Sequence, residues 1–233
     1  MKDKSTILTN YLIIEIDAEG ISLSVFDKPN HLFSGKRIES DVYTIKRDEL
    51  HNLLKVETDL NINKVDVIVE SYQYCIIPTD IFKPEEAIDF LLFEHKPAPT
   101  DSILYNKIPE FGIVNVFAIP ESVLDVVNQL FPQTAIEHHL SRFITENLLL
   151  QYENCLYCNA RSKKFDAVVV KNGKLALINS FEYKTPEDFL YFVINIYDKL
   201  SLNQQKHPVY LQNNTNNQRI EQILKTYLTT IKL

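Results

Sequence analysis

The feature that most constrains this chain is a repeated order of elements at an offset of about 143 residues. Each copy reads as three strands joined by tight turns, then a helix, then a fourth strand. The first copy predicts strands at Leu12–Asp17, Gly20–Asp27 and His31–Glu39, a helix at Arg47–Val56 and a strand at Val65–Glu70. The second copy predicts strands at Leu156–Arg161, Phe165–Lys171 and Lys174–Tyr183, a helix from Pro186 to Leu202 and a strand at Pro208–Leu211. Two like units predict a duplicated α/β protein with a cleft between its halves.

Local patterns support these elements. Leu12, Ile14 and Ile16 share one parity, which is typical of a half-buried strand. Asn172-Gly173 predicts a hairpin turn of type I′, and Gly20 is placed in an equivalent turn, where a positive φ is expected. Thr185 before Pro186 is typical of a capped helix start.

The charge balance excludes some classes of partner. The net charge is -7, and no cluster of Lys and Arg stands out beyond short pairs such as Lys163-Lys164. A general nucleic-acid binder needs such a cluster to neutralise phosphates, so no nucleic-acid partner is expected. The chain has no long apolar run and no apolar leader, so neither a membrane span nor a signal peptide is expected. Three cysteines without a secretion signal favour a reducing cytoplasm.

An added region separates the two copies. Its pattern predicts a helix at Pro84–Glu94, strands at Ile103–Ile108 and Ile113–Ile119, a helix from Pro120 to about Phe131, a strand at Ala135–His139 and a helix at Ser141–Gln151. The only break that suits a domain junction is Tyr152–Cys155. We therefore expect a first domain at 1–153, with an inserted subdomain at about 78–119, and a second domain at 154–233.

This doubled order resembles the actin-like ATPase fold, which belongs to the ribonuclease H-like group. The run Ala118–Leu124 is similar to a stretch of pilus-assembly and secretion-system actin-like proteins. The run Asn179–Tyr191 is similar to one typical of an uncharacterised Bacteroidetes family, described as a domain of unknown function with an actin-like fold. The resemblance implies an α/β fold of two ribonuclease H-like units with an insertion in the first half. Because the chain ends soon after its last helix, the closing strand of the second half is expected to be short or absent.

The resemblance also implies where a nucleotide would bind: at a D-x-G-type turn in each half and at a glycine-rich loop in the second half. The first turn is 17–20, where Glu19 stands before the glycine; the second is 161–164 and the loop is 212–215, and neither contains glycine. The candidate residues are Asp17, Glu19, Gly20, Arg161, Ser162, Lys163, Asn213 and Asn214. Phosphate needs closely approaching backbone N–H groups, which glycine usually permits. We therefore expect a non-catalytic scaffold or adaptor that holds no cofactor, the alternative being an ATP-binding switch or weak ATPase that uses ATP and Mg²⁺.

Aromatic residues indicate a protein partner, because Tyr and Phe are enriched at interface centres. The resemblance implies the same, since pilus and secretion relatives grip a peptide or a partner domain. The candidate contact residues crowd the edge of the inserted region and are Tyr72, Tyr74, Phe82, Phe90 and Phe93. A plain core-packing role is the competing interpretation for each of them. The partner and the oligomeric state are not specified by the sequence.

Three further patterns concern a nuclease site, a cysteine pair and a histidine pair. A metal-dependent nuclease of the ribonuclease H-like group would use Asp17 with Asp66 and Glu70, or Glu15. Cys155 and Cys158 form a C-x-x-C, but on a predicted strand rather than at a helix start, so structural cysteines and no metal are expected. His138 and His139 are expected to place one ring in the core and the other in solvent.

Overall fold

The computed structural model describes residues 10–17, 19–28, 31–40, 45–55, 62–147, 154–215 and 217–232. The chain divides into two compact units, Met1–Arg142 and Phe143–Leu233. The junction expected at Tyr152–Cys155 lies partly outside the described residues, which resume at Asn154.

The first unit is built on a five-stranded mixed sheet with helices packed against it. Its elements are β1 (Asn10–Asp17), β2 (Gly20–Lys28), β3 (His31–Glu39), α1 (Arg47–Leu54), β4 (Ile62–Val69), α3 (Glu121–Leu130), β8 (Ile136–His138) and α4 (His139–Asn147), the last crossing into the second unit. The strand order is β3-β2-β1-β4-β8. β1 is antiparallel to β2 and parallel to β4, and β4 is parallel to β8. The predicted apolar parity is confirmed, because Leu12, Ile14 and Ile16 are buried in one cluster with residues of α1 and α3.

The added region of this unit forms a second sheet. Its elements are β5 (Tyr74–Pro78), short 3₁₀ turns at Thr79–Ile81 and Pro84–Glu86, α2 (Ala87–Leu92), β6 (Asp101–Ile108) and β7 (Ile113–Pro120). The strand order is β5-β7-β6, and both pairings are antiparallel. The helix predicted at Pro84–Glu94 is shorter than expected, since its first turn is 3₁₀, and β5 was not anticipated.

A single side chain ties β8 of the first sheet to β6 of the second. The Asn106 Nδ2 donates to the Ile136 carbonyl at 3.1 Å, and its Oδ1 accepts from the His138 backbone N at 2.7 Å. The Asn106 amide therefore stands in for a neighbouring strand at the outer edge of β8.

The second unit repeats the first sheet. Its elements are β9 (Asn154–Ala160), β10 (Lys164–Lys171), β11 (Lys174–Glu182), α5 (Pro186–Lys199), β12 (Val209–Asn213), α6 (Gln218–Tyr227) and β13 (Thr230–Lys232). The order β11-β10-β9-β12-β13 has the same pairing directions as its counterpart, antiparallel between the first three strands and parallel beyond them. The duplicated α/β fold predicted from the sequence is confirmed. The closing strand is present and is three residues long.

Local signals explain the boundaries in the second unit. Asn172 and Gly173 have φ of 52° and 70°, as a type I′ turn requires. The Thr185 Oγ1 accepts from the Asp188 N at 3.1 Å, and an Asp188 carboxylate oxygen accepts from the Thr185 N at 3.0 Å, which completes a capping box.

The expectation of a positive φ at Gly20 is wrong. Gly20 is the first residue of β2, opposite Asp17 on β1 and Glu39 on β3, and its φ lies outside the left-handed region. A Cβ at this position would lie 2.2 Å from the Ile38 carbonyl oxygen. Gly20 is therefore required by a close approach of two backbones.

In the part of the chain that the structure describes, no helix combines the length and apolar character needed to cross a bilayer.

Candidate functional site

The first implied nucleotide-binding turn is closed by an ion pair. The Arg37 Nη1 donates to the Asp17 Oδ2 at 2.9 Å, and the Arg37 Nη2 donates to the Asp17 Oδ1 at 3.0 Å. The Arg37 Nη1 also donates to the Ser22 Oγ at 2.9 Å, so the guanidinium reaches from β3 across β2 to the end of β1. The hydrogen bonds to Asp17 raise the pKa of Arg37. This two-point contact fixes the Asp17 carboxylate against its own sheet.

The backbone of this turn is also engaged. The Glu19 N donates to the Asp17 Oδ1 at 2.8 Å, and the Glu19 carbonyl accepts from the Ser40 N at 3.2 Å. An N–H group of the kind that would contact a phosphate is thus used by Asp17 within the turn. Glu19 itself is exposed, so a second carboxylate stands at the same place. Ala18, between them, lies outside the described residues.

The second implied turn is also closed by an ion pair, but here an arginine precedes the turn and an aspartate is its partner. The Arg161 Nη2 donates to the Asp166 Oδ1 at 2.9 Å, and the Arg161 Nε donates to the Asp166 Oδ2 at 3.2 Å. Ser162 and Lys163 are exposed at the tip of the turn. Arg161 therefore folds back on β10, and the two tip residues are the most exposed part of the turn.

Asp166 is the centre of a buried polar network. Its side chain is 0% exposed, and it accepts from the Ser180 Oγ at 2.6 Å and from the Asn159 Nδ2 at 3.3 Å. A buried carboxylate is tolerated only when it is paired and hydrogen-bonded in this way.

The implied adenosine loop joins the same network. The Asn214 Nδ2 donates to the Asn159 Oδ1 at 3.0 Å, and the Asn214 backbone N donates to the Ala160 carbonyl at 3.0 Å. The Asn213 Oδ1 accepts from the Thr215 N at 3.1 Å and from the Thr215 Oγ1 at 2.7 Å. The structure thus brings Arg161 and Asn214 together through Asn159 and Asp166, and both loop asparagines are committed to internal contacts.

Sequence reasoning named one partner of each ion pair and missed the other. Arg37, Asn159, Asp166 and Ser180 were not among the candidates. Asp166 carried a usable signal, because a charged residue inside the apolar strand Phe165–Lys171 demands a buried partner. Arg37 carried no such signal, since it lies on an exposed edge strand.

The aromatic candidates fall into two groups. Phe93 is 85% exposed and Tyr72 is 38% exposed. Tyr74, Phe82 and Phe90 are partly buried: the Tyr74 ring lies 5.1 Å from the His138 ring, and Phe82 contacts Phe90 and Tyr105 at centroid distances of 6.4 and 5.0 Å. The second group packs within the first unit.

Two of the carboxylates considered for a nuclease, Asp17 and Asp66, are held by cations. The Arg142 Nη1 donates to the Asp66 Oδ2 at 3.0 Å, and the Lys64 Nζ lies 3.2 Å from the Asp66 Oδ1. Burial alone would raise the pKa of Asp66, but hydrogen bonds from Tyr11 and Lys64 and the Arg142 charge lower it. Burial and the bond to Asp66 raise the pKa of Tyr11 to about 12. Within the described ranges, no group of three or more His, Cys, Asp or Glu is placed to hold a metal ion.

The cysteines and His138 lie in the interior. Cys75, Cys155 and Cys158 are free and buried, and burial raises the pKa of Cys75 and of Cys155 to about 11. His138 is fully buried, and its Nε2 lies 2.9 Å from the Ser71 carbonyl oxygen. Its Nδ1 accepts from the Asn115 Nδ2 at 3.0 Å, so the imidazole serves as a packed hydrogen-bonding group.

The chain is similar to one protein family and to several solved structures. A family model described as a protein of unknown function (DUF3822) matches residues 2–231. A solved structure from Bacteroides thetaiotaomicron VPI-5482, with an actin-like ATPase fold and unknown function, superposes with a TM-score of 0.79 at 20% identity and covers 100% of this chain and 94% of that chain. This likeness shows that the fold is the actin-like ATPase fold.

Weaker likenesses include two further solved structures. The ethanolamine utilization protein EutJ from Carboxydothermus hydrogenoformans gives a TM-score of 0.48 at 11% identity, covering 95% of this chain and 84% of that chain. The PilM–PilN type IV pilus biogenesis complex gives 0.47 at 12% identity, covering 97% and 88%. No curated protein matches the chain.

Proposed function

Because this chain belongs to the DUF3822 family of proteins of unknown function and has the actin-like ATPase fold, we propose that it is a non-catalytic scaffold or adaptor. In this proposal its nucleotide-binding turns are degenerate, it holds no nucleotide or metal cofactor, and it binds a protein partner. We place it in the cytoplasm, where three free thiols stay reduced.

One observation carries the proposal: the charged residue before each hairpin turn is bonded into an ion pair on its own sheet. Asp17 is held by Arg37, and Arg161 is held by Asp166. A phosphate at either turn would need bare N–H donors. At the first turn, the Glu19 N–H already donates to the Asp17 carboxylate, which itself offers a phosphate no hydrogen bond. A phosphate there would also meet the like charges of Asp17 and Glu19.

The partner-binding half of the proposal is supported by the first unit's surface. Large apolar side chains that would normally be buried are exposed in the added region, among them Ile88, Leu92 and Phe93. Contiguous exposed apolar surface of this kind is typical of interaction sites.

An ATP-binding switch is the second candidate, and one observation favours it. Ser162 and Lys163 are exposed at the tip of the second turn, where a hydroxyl and an ammonium group would suit a phosphate.

Thermal unfolding with and without Mg²⁺ and ATP separates the two candidates. A ligand at a hundredfold excess over its dissociation constant stabilises the native state by about 2.7 kcal/mol. The scaffold proposal expects no shift in melting temperature. A shift in the wild type that disappears in the Ser162→Ala/Lys163→Ala variant would establish the switch instead.

A further inference from the structure

Three of the exposed apolar residues of the added region lie on one short helix or directly after it. On α2 and the turn that follows it, Ile88 is 45% exposed, Leu92 is 53% exposed and Phe93 is 85% exposed. Ile88 and Leu92 are four residues apart and therefore share one side of the helix. Asp89 and Phe93 have the same spacing and lie next to them. We call Glu85, Ile88, Asp89, Leu92 and Phe93 the α2 surface.

The inward side of α2 is packed against the core, so the exposed side chains do not result from a poorly packed helix. Ala87 and Leu91 are 6% and 0% exposed and pack in a cluster with β5 and β7. Phe90 closes the flank of the helix by contacting Phe82, which in turn contacts Tyr105. The helix is thus anchored from one side, and the α2 surface is presented on a fixed support.

The charged residues of the α2 surface itself are both acidic, and the flanking basic residues, Lys83 and Lys96, lie outside it. From Glu85 to Glu94 the sequence contains Glu85, Glu86, Asp89 and Glu94 and no Lys or Arg. Glu86 is neutralised by Lys83, whose Nζ lies 2.7 Å from the Glu86 Oε1. Glu85, Asp89 and Glu94 are exposed and have no basic side chain within ion-pair distance among the described residues. The apolar side chains are therefore framed by negative charge.

This charge pattern discriminates between possible occupants. Two copies of the α2 surface placed face to face in a symmetric dimer would set like carboxylates against each other. An anionic bilayer would repel the same carboxylates. A basic segment of another protein has none of these costs.

We propose that the α2 surface is the docking site for a basic amphipathic segment of a partner protein, whose apolar residues cover Ile88, Leu92 and Phe93 while its Lys or Arg side chains pair with Glu85 and Asp89. This inference rests on the proposed function, since it supplies the partner's chemistry. It also places the partner contact on the outer face of α2, whereas the sequence had predicted it partly at Tyr74, Phe82 and Phe90, which are partly buried.

The test uses two labelled synthetic peptides with identical leucines, one amphipathic Leu/Lys helix and one in which every Lys is replaced by Glu. Fluorescence anisotropy measures their binding to the full chain. We expect the Leu/Lys peptide to bind and the Leu/Glu peptide not to bind. Leu92→Ser, Phe93→Ser and Glu85→Lys/Asp89→Lys should each weaken binding by about tenfold or more, as expected for removal of interface anchors. Tyr191→Ser, at an exposed aromatic of α5 that is 66% accessible, is the matched control and should leave binding unchanged.

Four results would overturn the inference. They are no binding of the Leu/Lys peptide, equal binding by the Phe93→Ser variant, a concentration-dependent dimer in sedimentation that Phe93→Ser abolishes, and Phe93-dependent binding to vesicles of phosphatidylserine and phosphatidylcholine. None of them involves nucleotide. Failure of the inference therefore leaves the nucleotide-free assignment standing, and tight Mg-ATP binding would overturn that assignment without changing the peptide result.

Discussion

Asp17 and Arg161 occupy equivalent positions in the two units but carry opposite charges. Asp17 ends β1 and opposes Gly20 across a two-residue turn. Arg161 follows β9 and opposes Lys164 in the same way, its backbone N donating to the Lys164 carbonyl at 2.9 Å. Each faces an ion partner on its own sheet, Arg37 two strands away on β3 in the first unit and Asp166 on the adjacent β10 in the second.

The two units use the same three residue types beside the turn, but each type occupies a different position in the two sheets. The first unit places aspartate, serine and arginine on its first, second and third strands, as Asp17, Ser22 and Arg37. The second unit has arginine, aspartate and serine at the matching positions, with Arg161 directly after its first strand, Asp166 on the second and Ser180 on the third. The strand registers align these positions, because Ser22 pairs with Arg37 as Asp166 pairs with Ser180. Each unit therefore has one arginine, one aspartate and one serine bonded together beside the turn.

The two ion pairs should differ in their effect on stability. Arg161→Ala leaves the fully buried Asp166 carboxylate uncompensated, which should cost about 3–5 kcal/mol. Arg37→Ala removes a partner of Asp17 at an exposed site, which should cost about 1 kcal/mol or less. Urea denaturation of both variants measures the difference. Equal losses would contradict the buried role of Asp166.

Gly20 should be intolerant of any side chain. Gly20→Ala places a Cβ 2.2 Å from the Ile38 carbonyl oxygen, which is backbone and cannot rotate away. A loss of about 1–3 kcal/mol is expected for this overpacking. Gly35→Ala is the matched control on β3, since its nearest heavy atom is a Leu32 side-chain carbon at 3.5 Å. Comparable melting temperatures for the two variants would refute the close-approach explanation.

The Asn106 amide should be needed to hold β8. Asn106→Ala leaves the Ile136 carbonyl and the His138 N–H without their side-chain partner, at about 1–3 kcal/mol for each group. Asn106→Asp retains the acceptor for the His138 N but sets a carboxylate oxygen against the Ile136 carbonyl oxygen, so it should also lose stability. Chemical denaturation compares both with Asn128→Ala, an exposed change on α3. A neutral Asn106→Ala variant would show that water replaces the bridge.

Stability should fall at alkaline pH because buried thiols must ionise on unfolding. Burial raises the pKa of Cys155 from 9.0 to about 11, so the folded state retains this proton where the unfolded state loses it. The contribution of the protonated Cys155 thiol to the free energy of unfolding is therefore complete below about pH 9. It is lost progressively as the pH rises to about 11. Cys155→Ala should give a shallower decline of unfolding free energy between these pH values. A decline of unchanged slope would exclude Cys155 as a contributor.

The sequence specified those parts of the fold that depend on local chemistry. Asn172-Gly173 and Thr185 gave correct turn and helix boundaries, because backbone φ and capping are decided within a few residues. β5 was not predicted because Tyr74–Pro78 is short and lacks a polar–apolar alternation. Its inward residues Cys75 and Ile77 differ little in polarity from their outward neighbours. The 3₁₀ start at Pro84–Glu86 likewise has no distinct pattern.

The candidate site was only half predictable for a different reason. Asp17 and Arg161 were placed at turns by their spacing, but Arg37 lies 20 residues from Asp17, and the hydrogen bond that joins them depends on strand register. Asn214 reaches Asn159 over 55 residues for the same reason. Register follows from the whole hydrophobic pattern and the turn geometry together, so no single motif encodes these contacts.

The most direct test of the central claim is isothermal titration of the purified chain with ATP in the presence of Mg²⁺. Turns closed by Asp17–Arg37 and Arg161–Asp166 should offer a triphosphate no binding site, so the account predicts no binding heat and no phosphate release. Micromolar binding accompanied by ATP turnover would contradict it.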